Sequence, residues 1–324
     1  MKVFSTRRIT DTGIQLMEQA GIEVNQWQEK RELSRNELIY LCKQHDGLIV
    51  AGPIKIDSAF LNECKHLKVI VNHGVGYDHI DIEAATRLKI PVGNTPGAVD
   101  KATAETAFLL MMAVSRKIIH NHKRIINGQW SFFDPTANLG IEVRGKTLGI
   151  FGLGNIGFEM ARLCKASFNM NVIYCNRNPS VRAESELNAR KTSFDDLLTQ
   201  SDVLSVHSVL SHETREIFNK EAFAKMKPSA IFINTARGAI HNEKDLTEAL
   251  LHRTIWGAGL DVTNPEPMSP DNALLNMEYA TILPHIGTST EETRIKMVNM
   301  IAENVIAAFE NRTIPYVVNP DVYR

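Results

Sequence analysis

Apolar residues in the first hundred positions fall in short blocks separated by helical patterns. Val3 and Phe4 open a strand, Ile14 and Met17 share a helix face that ends at Gly21, and Ile22 to Trp27 can form a second strand. Ser34 with Glu37 three residues later is a capping box ahead of Leu38, Ile39 and Leu41. Asp46 to Gly52, Leu67 to Val71 and Ile90 to Gly93 read as further strands, with helices around Phe60 and over Ile82 to Leu88. Strands that alternate with helices predict a parallel, doubly wound sheet. A long helical pattern then runs from about Lys101 to Asn127 and stops at Gly128; its first part is apolar on most faces and belongs in an interior.

Past Lys146 the alternation resumes. Leu148 to Phe151 leads straight into Gly152, Leu153, Gly154, Asn155, Ile156 and Gly157, after which Ile156, Met160, Leu163 and Cys164 recur at helical spacing and Val172 to Cys175 forms the next strand. The first glycine of such a turn permits the bend, the second lets backbone approach a pyrophosphate, and the third lets helix pack closely on strand. Free N–H groups at the helix start then face the phosphates. Gly152, Gly154, Asn155, Ile156 and Gly157 therefore predict dinucleotide binding. At the end of the second strand stand Asn176 and Arg177, with no acid before Glu184. A carboxylate there would accept from the ribose 2′-OH of NAD and repel a 2′-phosphate, whereas Arg177 can hold that phosphate by a forked, charge-assisted contact. The expected cofactor is NADP(H) in preference to NAD(H).

Strands follow at Asp202 to Val206, Ser229 to Ile233, Trp256 to Val262 and Tyr279 to Leu283, with helices over Lys220 to Met226 and Asn242 to Leu251. Thr288 and Ser289, with Glu291 and Glu292 three residues on from each, offer a capping box for a final helix reaching about Asn311. Three ionisable side chains emerge from the ends of successive strands: Arg237, Glu266 in the TNPEP turn, and His285. In one parallel sheet those ends converge on the edge that carries the glycine turn. Together they supply what reduction of a 2-oxo acid requires. Arg237 can polarise the keto oxygen and pair with the carboxylate, His285 can protonate the developing alkoxide, and Glu266 can favour the imidazolium and orient it. Hydride would come from the nicotinamide.

Two loops of the first half also follow strands, NHGVGYDHID from Asn72 to Asp81 and NTPGAVDKATAE from Asn94 to Glu105. Gly74 and Gly76 expose backbone N–H groups able to bind a carboxylate. Asp78, Asp81 and Asp100 read as turn and cap residues.

Composition narrows the class. At 324 residues the chain can hold two cores, and 44% hydrophobic with 23% charged residues is the balance of a globular protein. A formal net charge of -1 supplies no global field for nucleic acid or an anionic membrane, so neither is an expected partner. Cys42, Cys64, Cys164 and Cys175 lack CxxC spacing and read as reduced core residues of a cytoplasmic protein. The opening MKVFSTRRIT has no apolar signal region, and Ala107 to Val114 is too short to span a bilayer. His120 and His122 are two apart and lie on different helix faces without an acid beside them, so they read as surface and no metal is expected.

The segments HGVGYDHID, NTPGAVDKATAE, GLGNIG, NTARG, GLDVTNPEP and PHIG together make the chain resemble the D-isomer-specific 2-hydroxyacid dehydrogenases from near residue 1 to the end. The resemblance implies an α/β fold with two doubly wound parallel-sheet domains: a Rossmann dinucleotide-binding domain over 99–287, inserted in a flavodoxin-like substrate domain built from 1–98 plus 288–324. It implies that Arg237, Glu266 and His285 are the catalytic trio and that Val75 and Gly76 amides hold the substrate carboxylate. It places Thr103, Thr214, Thr235 and Asp261 near the cofactor, and it implies a homodimer built through the cofactor domain. Two departures stand out. Asn176 replaces the usual acid, resembling the NADPH-using glyoxylate and hydroxypyruvate reductases, and His207, Ser208 and Val209 stand where members commonly read HxP. The leading expectation is reduction of glyoxylate or hydroxypyruvate. A phosphoglycerate or other D-2-hydroxyacid dehydrogenase using NAD is the alternative within the class, and a dinucleotide-sensing corepressor or binding module is the alternative outside it.

Overall fold

The computed structural model describes residues 1–324. It divides into two compact units, Met1–Val99 with Ser289–Arg324, and Asp100–Thr288. No helix is long and apolar enough to cross a membrane.

The first unit carries β1 (Lys2–Ser5), β2 (Glu23–Gln26), β3 (Gly47–Val50), β4 (Val69–Asn72) and β5 (Val92–Gly93). They pair in the order β2-β1-β3-β4-β5, every pair parallel. β3 and β4 are buried at every position, which is why they read as unbroken apolar runs. Side chains start the helices as the sequence suggests: Ser34 accepts from Glu37 N in a complete capping box, and Asp57 and Asp81 accept from Phe60 N and Ala84 N. The last helix, Glu291–Phe309, closes this unit against the helix Asp11–Gln19. A Cβ added to Gly13 would come within 2.1 Å of a Val298 methyl, so only glycine admits that crossing. The chain end is stitched to β5 by Asn319, whose carbonyl accepts from Val92 N at 2.7 Å while its amide donates to Ile90 O at 3.0 Å.

The second unit carries β6 (Thr147–Phe151), β7 (Asn171–Cys175), β8 (Arg190–Lys191), β9 (Val203–Val206), β10 (Ile231–Asn234), β11 (Gly257–Leu260) and β12 (Ala280–Ile282). Read across the sheet the order is β8-β7-β6-β9-β10-β11-β12, again parallel throughout. The chain reverses direction across the sheet between β6 and β9, and such a switch point opens a crevice at the carboxyl ends of the strands. Alternate side chains feed two cores. Leu148, Ile150, Ile231 and Ile233 pack on one face, and Phe151, Leu204, Val206 and Phe232 on the other.

Three expectations change. The long helix over Lys101 to Asn127 is two helices, Asp100–Ser115 and Ile118–Ile126. The break falls at Lys117, whose φ of 52° turns the chain and sends its side chain inward. Its Nζ donates to Glu278 at 2.6 Å and lies 4.5 Å from the Tyr279 ring centre, a tertiary attraction that helical periodicity does not register. The final helix is capped by Thr290, which accepts from Thr293 N, and not by Thr288 or Ser289. β8 and the helices Val181–Leu187 and Phe194–Gln200 are additional. β8 is two polar residues on a sheet edge, too short to carry a period.

Candidate active site

The glycine turn is built as its sequence requires. Gly152 has φ of 94°, and a Cβ there would meet Ser208 N at 2.5 Å and His207 C at 2.8 Å, since the loop after β9 lies against it. Gly154 is the N-cap of the helix Asn155–Phe168, and no atom lies within 4 Å of where its Cβ would be, which leaves that side open for a phosphate. A Cβ on Gly157 would meet Gly152 O at 2.8 Å. One glycine is needed for conformation, one for helix-to-strand packing, and one faces free space, so the residues fit a dinucleotide pyrophosphate.

Asn176, just after β7, turns its side chain into that turn. Its Oδ1 accepts from Leu153 N at 2.6 Å and its Nδ2 donates to Leu153 O at 3.1 Å. Arg177 is exposed beside it. Glu184, the first acid that follows, accepts from the Tyr174 hydroxyl at 2.5 Å, and Arg182 lies 3.7 Å from the Phe158 ring centre and pairs with Glu186.

At the end of β10, Asn234 shapes the next turn: its Oδ1 accepts from Ala236 N at 2.9 Å and its Nδ2 donates to Arg237 O at 2.8 Å. Arg237 is extended, with φ of -145°, and its Nη1 donates to Ala236 O. Behind it a Cβ on Gly238 would lie 1.9 Å from Thr263 O, so the Arg237 turn and the TNPEP turn touch backbone to backbone. Glu266 Oε1 accepts from Thr263 N at 3.1 Å, and its Oε2 lies 3.1 Å from His285 Nδ1. Burial raises the Glu266 carboxyl, but the His285 contact, the Thr263 N–H and the Arg237 charge together hold it below the usual carboxylate range. Nδ1 is thus the ring nitrogen that faces the carboxylate, and Nε2 is the one turned from it.

His285 is half exposed and has φ of 55°, a conformation that non-glycine residues rarely adopt. The fully buried Asp261 holds the segment behind it: Oδ1 accepts from Ile286 N and Oδ2 from Gly287 N, both at 2.7 Å. Burial pushes its carboxyl up, and those two amides pull against it. A Cβ on Gly287 would lie 2.8 Å from Asp261 Oδ2 and 3.5 Å from Thr103 Cγ2, so Asp261 and Thr103 meet around Gly287. Thr235 is buried beside Arg237 with no partner for its hydroxyl. Thr214 is engaged in its own loop, accepting from Ser211 N and donating to Val209 O, each at 2.8 Å.

In the first unit, the loop after β4 has its carbonyls fastened. Asn72 Nδ2 donates to Gly74 O at 3.0 Å and Gly76 O at 2.9 Å, Asn94 Nδ2 donates to Val75 O at 2.9 Å, and Thr95 N donates to Gly74 O at 3.2 Å. With three successive carbonyls held, the N–H groups of Val75 and Gly76 are what the loop can offer an anion. His73 beside them is held down to about 4 by burial and by the Arg294 charge, so it is neutral at physiological pH.

Residues 108–287 match the NAD binding domain of the D-isomer specific 2-hydroxyacid dehydrogenases. A glyoxylate reductase of Thermococcus litoralis is 38% identical over 325 residues, covering 99% of this chain and 97% of the relative. The chain belongs to the D-isomer specific 2-hydroxyacid dehydrogenases. Among solved structures, a glyoxylate reductase from Paecilomyes thermophila superposes with a TM-score of 0.86 at 35% identity, covering 98% of each chain. An NADPH-dependent glyoxylate/hydroxypyruvate reductase from Sinorhizobium meliloti, solved with NADP and malonate, superposes with a TM-score of 0.84 at 26% identity, covering 99% of this chain and 97% of that one. As a 2-hydroxyacid dehydrogenase the chain is an oxidoreductase that works with a nicotinamide dinucleotide on a small-molecule substrate.

In this dehydrogenase the residues that sequence reasoning missed are the ones that hold others in place. Asn72, Asn94 and Asn234 all sit at strand ends with their amides bonded to the backbone of the next turn. Glu243 accepts from Asn264 N at 2.9 Å and from Asn272 Nδ2 at 2.7 Å, bracing the turn that bears Glu266. Asparagine at a strand end is the signal that could have found the first three, because its short side chain readily bonds nearby backbone. Glu243 is 21 residues or more from its partners and leaves no local signature.

Proposed function

We propose that the chain reduces a small 2-oxo acid, glyoxylate or hydroxypyruvate, to the D-2-hydroxy acid with NADPH. The observation that carries this reading is the 3.1 Å contact between His285 Nδ1 and Glu266 Oε2, with the Arg237 charge acting on the same carboxylate. Bound NADPH supplies the hydride. The chain's own part is proton supply and charge. Arg237 clamps the substrate carboxylate and polarises the keto oxygen, while the Val75 and Gly76 amides also take the carboxylate. His285 gives its Nε2 proton to the alkoxide that forms, and Glu266, in contact with Nδ1, keeps the ring correctly turned until that transfer. Thr103, Thr214, Thr235 and Asp261 belong to the cofactor side of the site, with Asp261 holding the Ile286 and Gly287 backbone that follows His285. The exposed Arg177 and the absence of a free acid after β7 support NADPH over NADH. A cytoplasmic homodimer completes the reading.

Steady-state NADPH oxidation with glyoxylate and hydroxypyruvate tests it. His285→Ala should lower kcat by about 10²–10⁴, the range for lost general acid catalysis, with cofactor affinity little changed. No NADPH consumption with any 2-oxo acid would refute the reading, and full turnover by the variant would remove His285 from it.

A further inference from the structure

β8 is the shortest and most polar strand of its sheet, yet its second residue reaches toward the cofactor turn. Lys191 pairs in register with Tyr174 of β7 and extends past Cys175 to place Nζ 2.9 Å from Arg177 O. Asn176, one residue earlier, is bonded at both ends of its amide to Leu153 in the glycine turn. Contacts thus run without a gap from the glycine turn through Asn176 and Arg177 to the Lys191 ammonium. Of the acids that follow β7, Glu184 accepts from the Tyr174 hydroxyl, Glu186 pairs with Arg182, Asp195 with Lys225, and Asp196 accepts from Ser193. An ammonium has three donors, so the bond to Arg177 O leaves two. Its field reaches the end of β7, where burial pushes the Cys175 thiol up and the Lys191 charge pulls it back.

We propose that Lys191 is a second cationic anchor for the adenosine 2′-phosphate of NADPH, acting beside Arg177 as a determinant of cofactor specificity. This rests on the NADPH reading above. The two cations have different tasks. Arg177 offers a planar fork on an exposed turn, and Lys191 offers a point charge held in place by its own hydrogen bond to the Arg177 backbone. A phosphate dianion between them is met from two sides, and losing either charge removes a charge-assisted contact.

Calorimetric titration of the full chain with adenosine 2′,5′-bisphosphate and with 5′-AMP tests this without turnover. Lys191→Met should weaken the bisphosphate about tenfold, the loss of one charge-assisted contact, and leave 5′-AMP unchanged. Lys191→Arg should restore the affinity, and the deficit should shrink at high salt. In kinetics the KM for NADPH should rise and that for NADH should not. If Lys191→Met weakens both nucleotides alike, or neither, while Arg177→Ala still abolishes discrimination, Lys191 is a structural residue and this proposal alone falls. If the unmodified protein does not discriminate and Arg177→Ala changes nothing, the NADPH reading falls and Lys191 with it.

Discussion

At the scale of single residues, the proposed chemistry rests on side chains that are positioned by others. Arg237 leaves β10 in an extended conformation because Asn234 holds the carbonyl of Arg237 and the amide of Ala236. The guanidinium therefore has a defined origin, and its forked geometry is what a substrate carboxylate would use. Arg237→Lys replaces the fork with a point charge, and kcat/KM for glyoxylate is expected to fall about tenfold to a hundredfold, the worth of a lost charged hydrogen bond. Near-native kcat/KM in a substrate titration would dismiss the clamp. His285 shows the same dependence. Its left-handed backbone is sustained by Asp261, whose two oxygens take the two amides that follow it. A carboxylate can accept both amides at once, whereas an asparagine has one acceptor atom.

At the scale of elements, the break between the helices Asp100–Ser115 and Ile118–Ile126 falls at one residue and has a tertiary cause. Lys117 turns the chain and buries an ammonium that meets the Glu278 carboxylate and the faces of Tyr279 and Trp256. Burial raises the Glu278 carboxyl, and the Lys117 contact more than offsets that, holding it below its ordinary range. Lys117→Met would leave the carboxylate without its partner. Because the Glu278 side chain is 35% exposed, water screens part of that loss, so a destabilisation of about 1–3 kcal/mol is expected, below the cost of breaking a fully buried pair. Chemical denaturation gives the figure, and Lys117→Met combined with Glu278→Gln should recover much of it. A single variant as stable as the parent would show that the pair does not hold the break.

At the scale of the molecule, two properties follow from what is buried and what is not. His241 is fully buried, its Nδ1 accepts from Asn234 Nδ2 at 3.0 Å, and desolvation holds it down to about 4, with His207 held down to about 3. In the unfolded chain both return to about 6.5. The unfolded state therefore binds more protons between about pH 6.5 and 4, and stability should fall as pH drops through that window, by about 1.4 kcal/mol per pH unit for each such histidine. Denaturant midpoints at several pH values check this, and His241→Asn should flatten the slope; an unchanged slope would mean that His241 titrates normally. The second property is a run of exposed apolar side chains in the second unit: Ile118, Ile125, Ile126, Trp130, Phe132 and Phe133. Exposed apolar side chains of this kind are available to cover one another in the homodimer proposed above. Sedimentation should give a dimer, and Ile126→Glu with Phe133→Glu should give a monomer; a monomeric parent would refute the pairing.

The sequence by itself determined the class of the molecule. Alternating apolar blocks and helical patterns specify parallel sheets because buried strands must be apolar on both faces, and the GLGNIG turn specifies its own geometry because only glycine fits there. Local capping was equally legible at Ser34 and Asp81, where the partner is three residues away. Tertiary structure alone decided how the long helix is divided, which threonine caps the last one, and that β8 exists at all. It alone brought Asn234 under Arg237, Glu243 against the TNPEP turn, Asp261 against Gly287 and Lys191 to Arg177. The physical reason is range. Hydrophobic period and turn chemistry act between neighbours in sequence, whereas a buried charge or an amide finds its partner only after the sheet has been wound and distant strand ends lie side by side.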